Sequence, residues 1–171
     1  LQVVDLSGIP LLASERTEED PIVIGGGPCT YNPEPLADFF DIFYIGEGET
    51  EYFHLMDLYK EYKAKSLSRK EFLHDKEDGT IESFAPVCSD IPAVIEKQIV
   101  MDVTDTYYPK APVVPFIRAT QDRVVLEIQR GCIRGCRFCQ AGMLYRPLRE
   151  RDLSMLKDYA ITMLKNTGHE E

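Results

Sequence analysis

Three cysteines stand within eight consecutive residues, and their spacing is the feature that most constrains how this chain folds. Cys132, Cys136 and Cys139 follow the pattern Cys-x3-Cys-x2-Cys, in a run that also contains Gly131 and Gly135. Three thiolates on one short loop are able to bind three irons of a four-iron, four-sulfur cluster. The fourth iron then has no protein ligand and is open to a small molecule. The pattern therefore favours a reactive cluster over a centre that only transfers electrons.

Other uses of the cysteines fit this sequence less well. A zinc site normally has four Cys or His ligands in spaced pairs, whereas the nearest further candidates, Cys88 and His169, are distant in sequence. A ferredoxin-type cluster needs a fourth nearby cysteine. A structural disulfide is not expected with five cysteines and no visible secretory signal. Cys29 has no partner at ligand spacing, nor has Cys88, and we interpret both as small packed side chains. The alternative to catalysis is a non-catalytic iron–sulfur electron-transfer module or a zinc-binding module.

The cysteine run, with Phe138 beside its last cysteine, resembles the signature of the radical S-adenosylmethionine (SAM) superfamily. The resemblance implies that Cys132, Cys136 and Cys139 bind a 4Fe-4S cluster whose open iron chelates SAM. One electron from the cluster would cleave SAM to methionine and a 5′-deoxyadenosyl radical, which abstracts hydrogen from a substrate. Phe138 would pack near the SAM adenine or shield the cluster. The substrate and the reaction product are not indicated.

A second resemblance extends over nearly the whole chain. Residues 25–35, Asp41, residues 46–49 and the later run 140–147 resemble an uncharacterised bacterial family of radical SAM proteins that carry a cobalamin-binding domain. This resemblance implies an enzyme of that type. It also implies a reducing electron donor such as flavodoxin or ferredoxin.

The cobalamin-binding part of this resemblance concerns two glycines. In such domains a Gly-Gly turn after a strand lets the nucleotide tail of cobalamin approach the backbone, and Gly25 and Gly26 match that position. A plain tight turn explains the same glycines equally well. Many cobalamin proteins also carry an Asp-x-His-x-x-Gly motif, and none of His54, His74 or His169 lies in one. Cobalamin is therefore an open expectation.

Strand and helix signals alternate along the chain, which predicts an α/β fold with a parallel sheet. Short apolar runs at 21–24 and 42–45 predict buried strands, and residues 50–64 predict a helix. Residues 123–128 predict a strand that leads into the cysteine loop, with a helix from 153 onward. We interpret the chain as the end of a Rossmann-like, cobalamin-binding-type domain, followed by the first β/α unit of a radical SAM partial barrel.

Local signals predict where the helices begin and end. Residues 68–71 have the spacing of a capping box. Asp152 or Ser154 is placed to cap the last helix, and Gly168 is placed to end it. The acidic loop at 46–49 is interpreted as a helix cap. In the helix at 50–64, the face expected to be buried consists of Tyr52, Phe53, Met56, Leu58 and Tyr59.

Prolines indicate the domain boundary. Because three prolines fall between 107 and 115, we interpret residues 107–120 as a semi-rigid linker. The predicted domains are a partial Rossmann-like domain at 1–106 and the truncated start of a barrel at 121–171. The chain begins at Leu1 instead of methionine, so we expect a fragment that has little or no turnover on its own.

Charge is divided unevenly. The formal net charge is −10; residues 1–120 contain 22 acidic and 10 basic residues, and residues 121–171 contain 7 and 9. The acidic part argues against general nucleic-acid binding. Six arginines between 130 and 151 either neutralise an anionic cluster and a substrate carboxylate or form surface ion pairs with Glu150 and Asp152. No apolar run is long enough to span a bilayer, so we expect a cytoplasmic protein without a membrane partner.

Overall fold

The computed structural model describes residues 1–49, 51–74, 84–86, 95–104, 106–117 and 120–169. The chain divides into two compact units, Leu1–Val100 and Met101–Glu171. Cys88 lies outside the described residues. The predicted functional domains at 1–106 and 121–171, and the linker at 107–120, stay predictions.

The described residues of the first unit form three α-helices and a small sheet of strands β1 (Ile24–Gly25), β2 (Ile42–Tyr44) and β3 (Phe84–Pro86). Its strands pair in the order β1-β2-β3. Strand β1 is parallel to β2, with Ile24 opposite Ile42, whereas β3 is antiparallel to β2. Helices together with this mixed sheet are compatible with the predicted α/β class, and the finer Rossmann-like arrangement stays a prediction. The elements are α1 (Gln2–Leu6), β1 (Ile24–Gly25), β2 (Ile42–Tyr44), α2 (Glu51–Ala64), α3 (Arg69–His74), β3 (Phe84–Pro86) and the 3₁₀ turns Ala13–Glu15, Pro28–Tyr31 and Glu34–Leu36.

The core of this unit lies between β2 and the two longer helices. Ile42, Leu55, Tyr62 and Phe72 are buried together. The face predicted for α2 is therefore correct only in part. Met56, Leu58 and Tyr59 pack against the core, but Tyr52 and Phe53 are exposed. The buried stripe follows the helical spacing 55, 59 and 62, which turns Phe53 toward solvent.

The capping box predicted at 68–71 is confirmed by hydrogen bonds. The Glu71 carboxylate accepts a 2.7 Å hydrogen bond from the Ser68 backbone N–H, and the Glu71 N–H donates a 3.2 Å bond to the Ser68 hydroxyl. These reciprocal bonds form the predicted capping box at the start of α3. They also hold the pKa of Glu71 below its usual value, with the Ser68 hydroxyl as the largest cause.

The second unit carries the cysteine loop between short elements. Strands β4 (Gln129–Arg130) and β5 (Arg149–Glu150) are antiparallel, with Arg130 opposite Arg149. The strand predicted at 123–128 is wrong, because none of these residues is in a strand and the pairing begins at Gln129. The backbone before it is bonded to a side chain instead: the Tyr108 hydroxyl donates to the Val125 carbonyl and accepts from the Glu127 N–H, each at 2.8 Å. The elements are β4 (Gln129–Arg130), α4 (Ala141–Leu144), β5 (Arg149–Glu150) and α5 (Leu153–Thr167).

Helix α5 begins and ends where the sequence predicts. The Asp152 carboxylate accepts hydrogen bonds from the backbone N–H groups of Ser154 at 2.8 Å and Met155 at 3.3 Å. Gly168 ends the helix with a left-handed φ of 76°. Tyr159 and Met163 are the buried residues of this helix. Among the helices of the described segments, none combines the length and apolar character that crossing a bilayer requires.

Candidate metal centre

The three predicted cluster ligands lie on one loop between β4 and α4. Cys132 and Cys139 are half-buried, Cys136 is exposed, and all three are free thiols. The Cys139 N–H donates a 3.1 Å bond to the Cys136 carbonyl, which closes a tight turn. The Arg134 N–H lies 3.4 Å from the Cys132 sulfur, within the range of a weak hydrogen bond to sulfur. Donors of this kind tune a cluster when they point at its ligands.

The three free thiols are chemically suited to bind three irons of a 4Fe-4S cluster. Within the described ranges, no group of three or more His, Cys, Asp or Glu side chains is arranged to hold a metal ion. A cluster would therefore require the loop to turn its sulfurs toward one point. Phe138 stands beside Cys139 with 91% of its surface exposed, so its ring is available to cover a bound group. The roles of these four residues stay predictions.

The loop is fixed to its own unit at Gly131, directly before the first cysteine. Gly131 has a φ of +87°. A Cβ at this position would lie 2.3 Å from the Pro147 carbonyl oxygen and 2.4 Å from that of Tyr145. Only glycine fits both the dihedral angle and the close approach. Gly131 has no predicted role, although a glycine directly before a ligand cysteine indicates such a close approach.

The middle of the loop rests on helix α4. A Cβ on the buried Gly142 would lie 3.0 Å from the Arg134 carbonyl oxygen, which is tighter than ordinary contact. Gly135, in contrast, has no heavy atom close to the position of its missing Cβ. The loop backbone is therefore closely packed at Gly131 and Arg134, whereas Gly135 has no close neighbour.

Two of the six clustered arginines are buried and bond to other parts of the second unit. Arg149 and Arg151 are buried. Arg149 donates from Nε to the Pro147 carbonyl at 3.0 Å and from Nη2 to the Tyr145 carbonyl at 3.5 Å. Arg151 donates from Nη2 to the Glu127 carboxylate at 2.6 Å and from Nη1 to the Val103 carbonyl. These bonds hold backbone carbonyls and Glu127 of the second unit.

The other four arginines are more accessible. Arg130 lies 2.9 Å from the Glu127 carboxylate through its Nε. Burial raises the pKa of Glu127, but hydrogen bonds from Arg130 and Arg151 outweigh it, and the net pKa lies below the usual value. The three exposed arginines on or near the loop are Arg134, Arg137 and Arg146. The first two stand beside the cysteines, where a positive charge favours an anionic cluster.

An aromatic stack anchors the predicted linker within the second unit. The rings of Tyr108 and Tyr159 lie parallel with centroids 5.2 Å apart. Arg151 lies 5.1 Å from the Tyr108 ring, and Lys110 lies 4.8 Å from the Tyr159 ring, both at cation–π distance. The segment before the cysteine loop is thereby packed against α5.

The two glycines predicted to contact cobalamin have different surroundings. A Cβ on the buried Gly25 would lie 3.1 Å from the rings of Phe40 and Phe43. Gly26 is exposed, with no neighbouring heavy atom within 4 Å of the position of a Cβ. Internal packing therefore accounts for the glycine at 25 without any ligand. Cobalamin contact at either residue stays a prediction.

The acidic loop at 46–49 joins the sheet to a following segment. The Glu47 carboxylate accepts a 2.9 Å bond from the Val100 N–H, and the Glu47 N–H donates to the Gln98 carbonyl at 3.0 Å. The Tyr44 hydroxyl donates to the Glu47 carbonyl at 2.7 Å. Burial, followed by the charges of nearby glutamates, raises the pKa of Tyr44 to about 12. Glu47 therefore bonds to the backbone of Gln98 and Val100. The sequence predicted a helix cap for this loop and not this contact.

Comparison with known proteins adds a finding from outside the cysteine loop. Residues 1–83 match a family described as radical SAM proteins, N-terminal. This match supports the radical SAM superfamily. Because it ends before residue 132, it is independent of the cysteine spacing that led to the same superfamily.

The chain is also similar to one uncharacterized protein of Methanocaldococcus jannaschii. The two are 30% identical over 142 residues, which cover 82% of this chain and 28% of that protein. The chain thus spans less than a third of the length of this relative. The similarity is longer than the 83 residues of the family match. No solved structure matches the chain.

Proposed function

We propose that this chain is part of a radical SAM enzyme in which Cys132, Cys136 and Cys139 bind a 4Fe-4S cluster. The observation that carries the proposal is one loop with three free thiols and no fourth cysteine beside them. Three ligands leave one iron open, which is what SAM chelation needs. The match of residues 1–83 supports the same superfamily from a separate part of the chain.

When bound, the cluster supplies one electron for the reductive cleavage of SAM. The residues of the chain hold and shelter it. The Arg134 N–H, which lies 3.4 Å from the Cys132 sulfur, would tune a cluster bound there, and the exposed Phe138 ring would be available to shield it from water. Arg134 and Arg137 place positive charge beside an anionic centre. Flavodoxin or ferredoxin is the proposed electron donor.

Cobalamin has no part in the proposed chemistry. The tight packing of Gly25 against the Phe40 and Phe43 rings gives this glycine a role that needs no ligand. The choice of substrate belongs to the whole enzyme, of which the relative's length suggests this chain is a minor part.

The test is anaerobic reconstitution with iron and sulfide, followed by electron paramagnetic resonance of the reduced protein with and without SAM. We expect a four-iron signal that SAM perturbs. Cys136→Ala should lose that signal. Cys29→Ala is the matched control, because Cys29 is an exposed thiol of the first unit, and it should keep the signal.

The alternatives give different results in the same experiment. A cluster signal that SAM does not change would favour an electron-transfer module. Stoichiometric zinc bound through the same cysteines, without a cluster, would favour a zinc-stabilised fold. Either result overturns the catalytic proposal.

A further inference from the structure

We infer that Arg149 is a positioning residue for the cysteine loop. It holds the carbonyl groups of Tyr145 and Pro147 against Gly131 and thereby fixes the backbone from which Cys132 projects. The identity of the group that Cys132 binds rests on the proposed function, but the positioning itself does not.

The Arg149 guanidinium is directed at two backbone carbonyls. The side chain is buried and donates to two carbonyls that are two residues apart, those of Tyr145 and Pro147. A planar guanidinium presents several donors in a fixed fork, so one side chain sets the relative position of both carbonyls. Its buried position also keeps Arg149 from acting as an exposed anion-binding group.

The same two carbonyls approach Gly131. The oxygens of Pro147 and Tyr145 lie 2.3 and 2.4 Å from where a Cβ of Gly131 would be. The β4–β5 register adds a further constraint, since Arg149 is opposite Arg130, the residue before Gly131. Side-chain bonds, strand pairing and close packing therefore converge on the backbone of one residue. The next residue along the chain is the first predicted ligand.

Packing differs along the loop. The Arg134 carbonyl rests on Gly142, but Gly135 has open space around it, and Cys136 is exposed. The backbone position of Cys132 is thus fixed by packing, whereas the turn at 136–139 has room to move toward a bound group. A preset first ligand lowers the ordering cost that cluster binding must meet.

The test compares thiol reactivity in the metal-free, folded protein. The variant is Arg149→Lys, which keeps the charge but lacks the fork needed to hold both carbonyls. The control is Arg123→Lys, at an exposed position of the same unit. Alkylation of each cysteine is followed by mass spectrometry, with the exposed Cys29 of the first unit as the internal reference.

We expect Cys132 to react about fivefold faster in Arg149→Lys, the size of effect that losing one buried hydrogen bond gives. Cys29 should be unchanged, and the control should match the parent protein. An unchanged Cys132 rate in a folded Arg149→Lys protein would overturn the inference. A uniform rise at every cysteine would also overturn it, because it would show a general stabilising role.

Cluster loading gives a second measurement. After reconstitution, iron per chain should fall in Arg149→Lys and stay at the parent value in Arg123→Lys. A parent protein that binds no cluster but shows the Cys132 effect would refute the proposed function and keep the positioning role. If the parent protein and both variants bind the cluster equally well and the Cys132 rate does not change, the positioning role is refuted and the proposed function is kept.

Discussion

Arg16 donates a 2.8 Å hydrogen bond to Asp41 from 25 positions earlier in the sequence, and both side chains are almost fully excluded from solvent. Arg69 reaches the same carboxylate oxygen at 2.6 Å, and the Val23 N–H donates to it at 2.7 Å. Asp41 directly precedes β2, and Val23 directly precedes β1. One carboxylate thus compensates two guanidinium groups and joins the starts of both parallel strands.

Asp41→Asn should therefore be strongly destabilising. The amide keeps the shape of the carboxylate but leaves two buried guanidinium groups without a counter-charge. Breaking a buried ion pair from one side costs about 3–5 kcal/mol of unfolding free energy. Chemical denaturation followed by circular dichroism measures the change.

The control for this substitution is Asp57→Asn. Asp57 pairs with Lys60 at 2.7 Å, but both side chains are mostly exposed. Exposed pairs of this kind contribute little. Equal losses in the two variants would show that the Asp41 network does not stabilise the fold.

The sequence was informative where a signal is local. The capping box at Ser68 and Glu71 and the cap at Asp152 each depend on side chains within three residues of the backbone they bind. Such bonds form in almost any tertiary setting, so spacing alone predicts them. The cysteine spacing is local in the same way, and the family match at 1–83 supports the superfamily to which it pointed.

The sequence was misleading where contacts are distant. Residues 123–128 have the composition of a strand, but Tyr108 binds the backbone at Val125 and Glu127 from about twenty residues away. The buried Arg151 likewise binds the Val103 carbonyl across 48 positions. No periodicity in the sequence separates the buried Arg149 and Arg151 from the exposed arginines, because burial depends on the partner that the fold supplies.

A glycine substitution tests the loop between β2 and α2. Gly46 has a φ of +124°, and a Cβ there would lie 2.3 Å from the Gln98 carbonyl oxygen. Gly46→Ala should lower the unfolding free energy by about 2–4 kcal/mol, because backbone strain and a clash with main-chain atoms add together. Thermal and chemical unfolding measure it.

The neighbouring Gly48 provides the comparison. A Cβ there would meet only the Tyr52 Cβ at 3.6 Å, which is ordinary contact. Gly48→Ala should be close to neutral. If Gly46→Ala were as well tolerated, the close approach of residue 98 would be wrong.

Tyr44 should titrate later than an ordinary tyrosine. Burial and the neighbouring glutamates raise its pKa to about 12, from a usual value near 10. Because the folded-state pKa is the higher one, its contribution to stability is complete below about pH 10 and is lost as the pH rises toward about 12. The unfolding free energy should fall more steeply over this window in the parent protein than in Tyr44→Phe.

Tyrosinate absorbance provides a direct check of the same group. A late ionisation step should be present in the parent protein and missing from Tyr44→Phe. Tyr107→Phe is the matched control, since Tyr107 is exposed. A late step that disappears in Tyr107→Phe instead would contradict the assignment.

The cap of α5 predicts a dependence on acid. The Ser154 hydroxyl, followed by the N–H groups of Ser154 and Met155, lowers the pKa of Asp152. Because the folded-state pKa is depressed, this contribution is present above the usual pKa of an aspartate, about 4, and is lost as the pH falls below it. Asp152→Ala should destabilise the protein at neutral pH, since the N–H groups at the start of the helix lose their acceptor.

Asp152→Asn separates the cap from its charge. An asparagine side chain accepts the same hydrogen bonds but does not titrate, so the stability difference from the parent should shrink as the pH is lowered through the window of the aspartate. Asp158→Asn, at an exposed position within α5, is the control for replacing an aspartate of the same helix. Unfolding curves at a series of pH values give the result. A difference between the parent and the Asp152→Asn variant that stays constant through acid would show that the Asp152 charge contributes nothing to the cap.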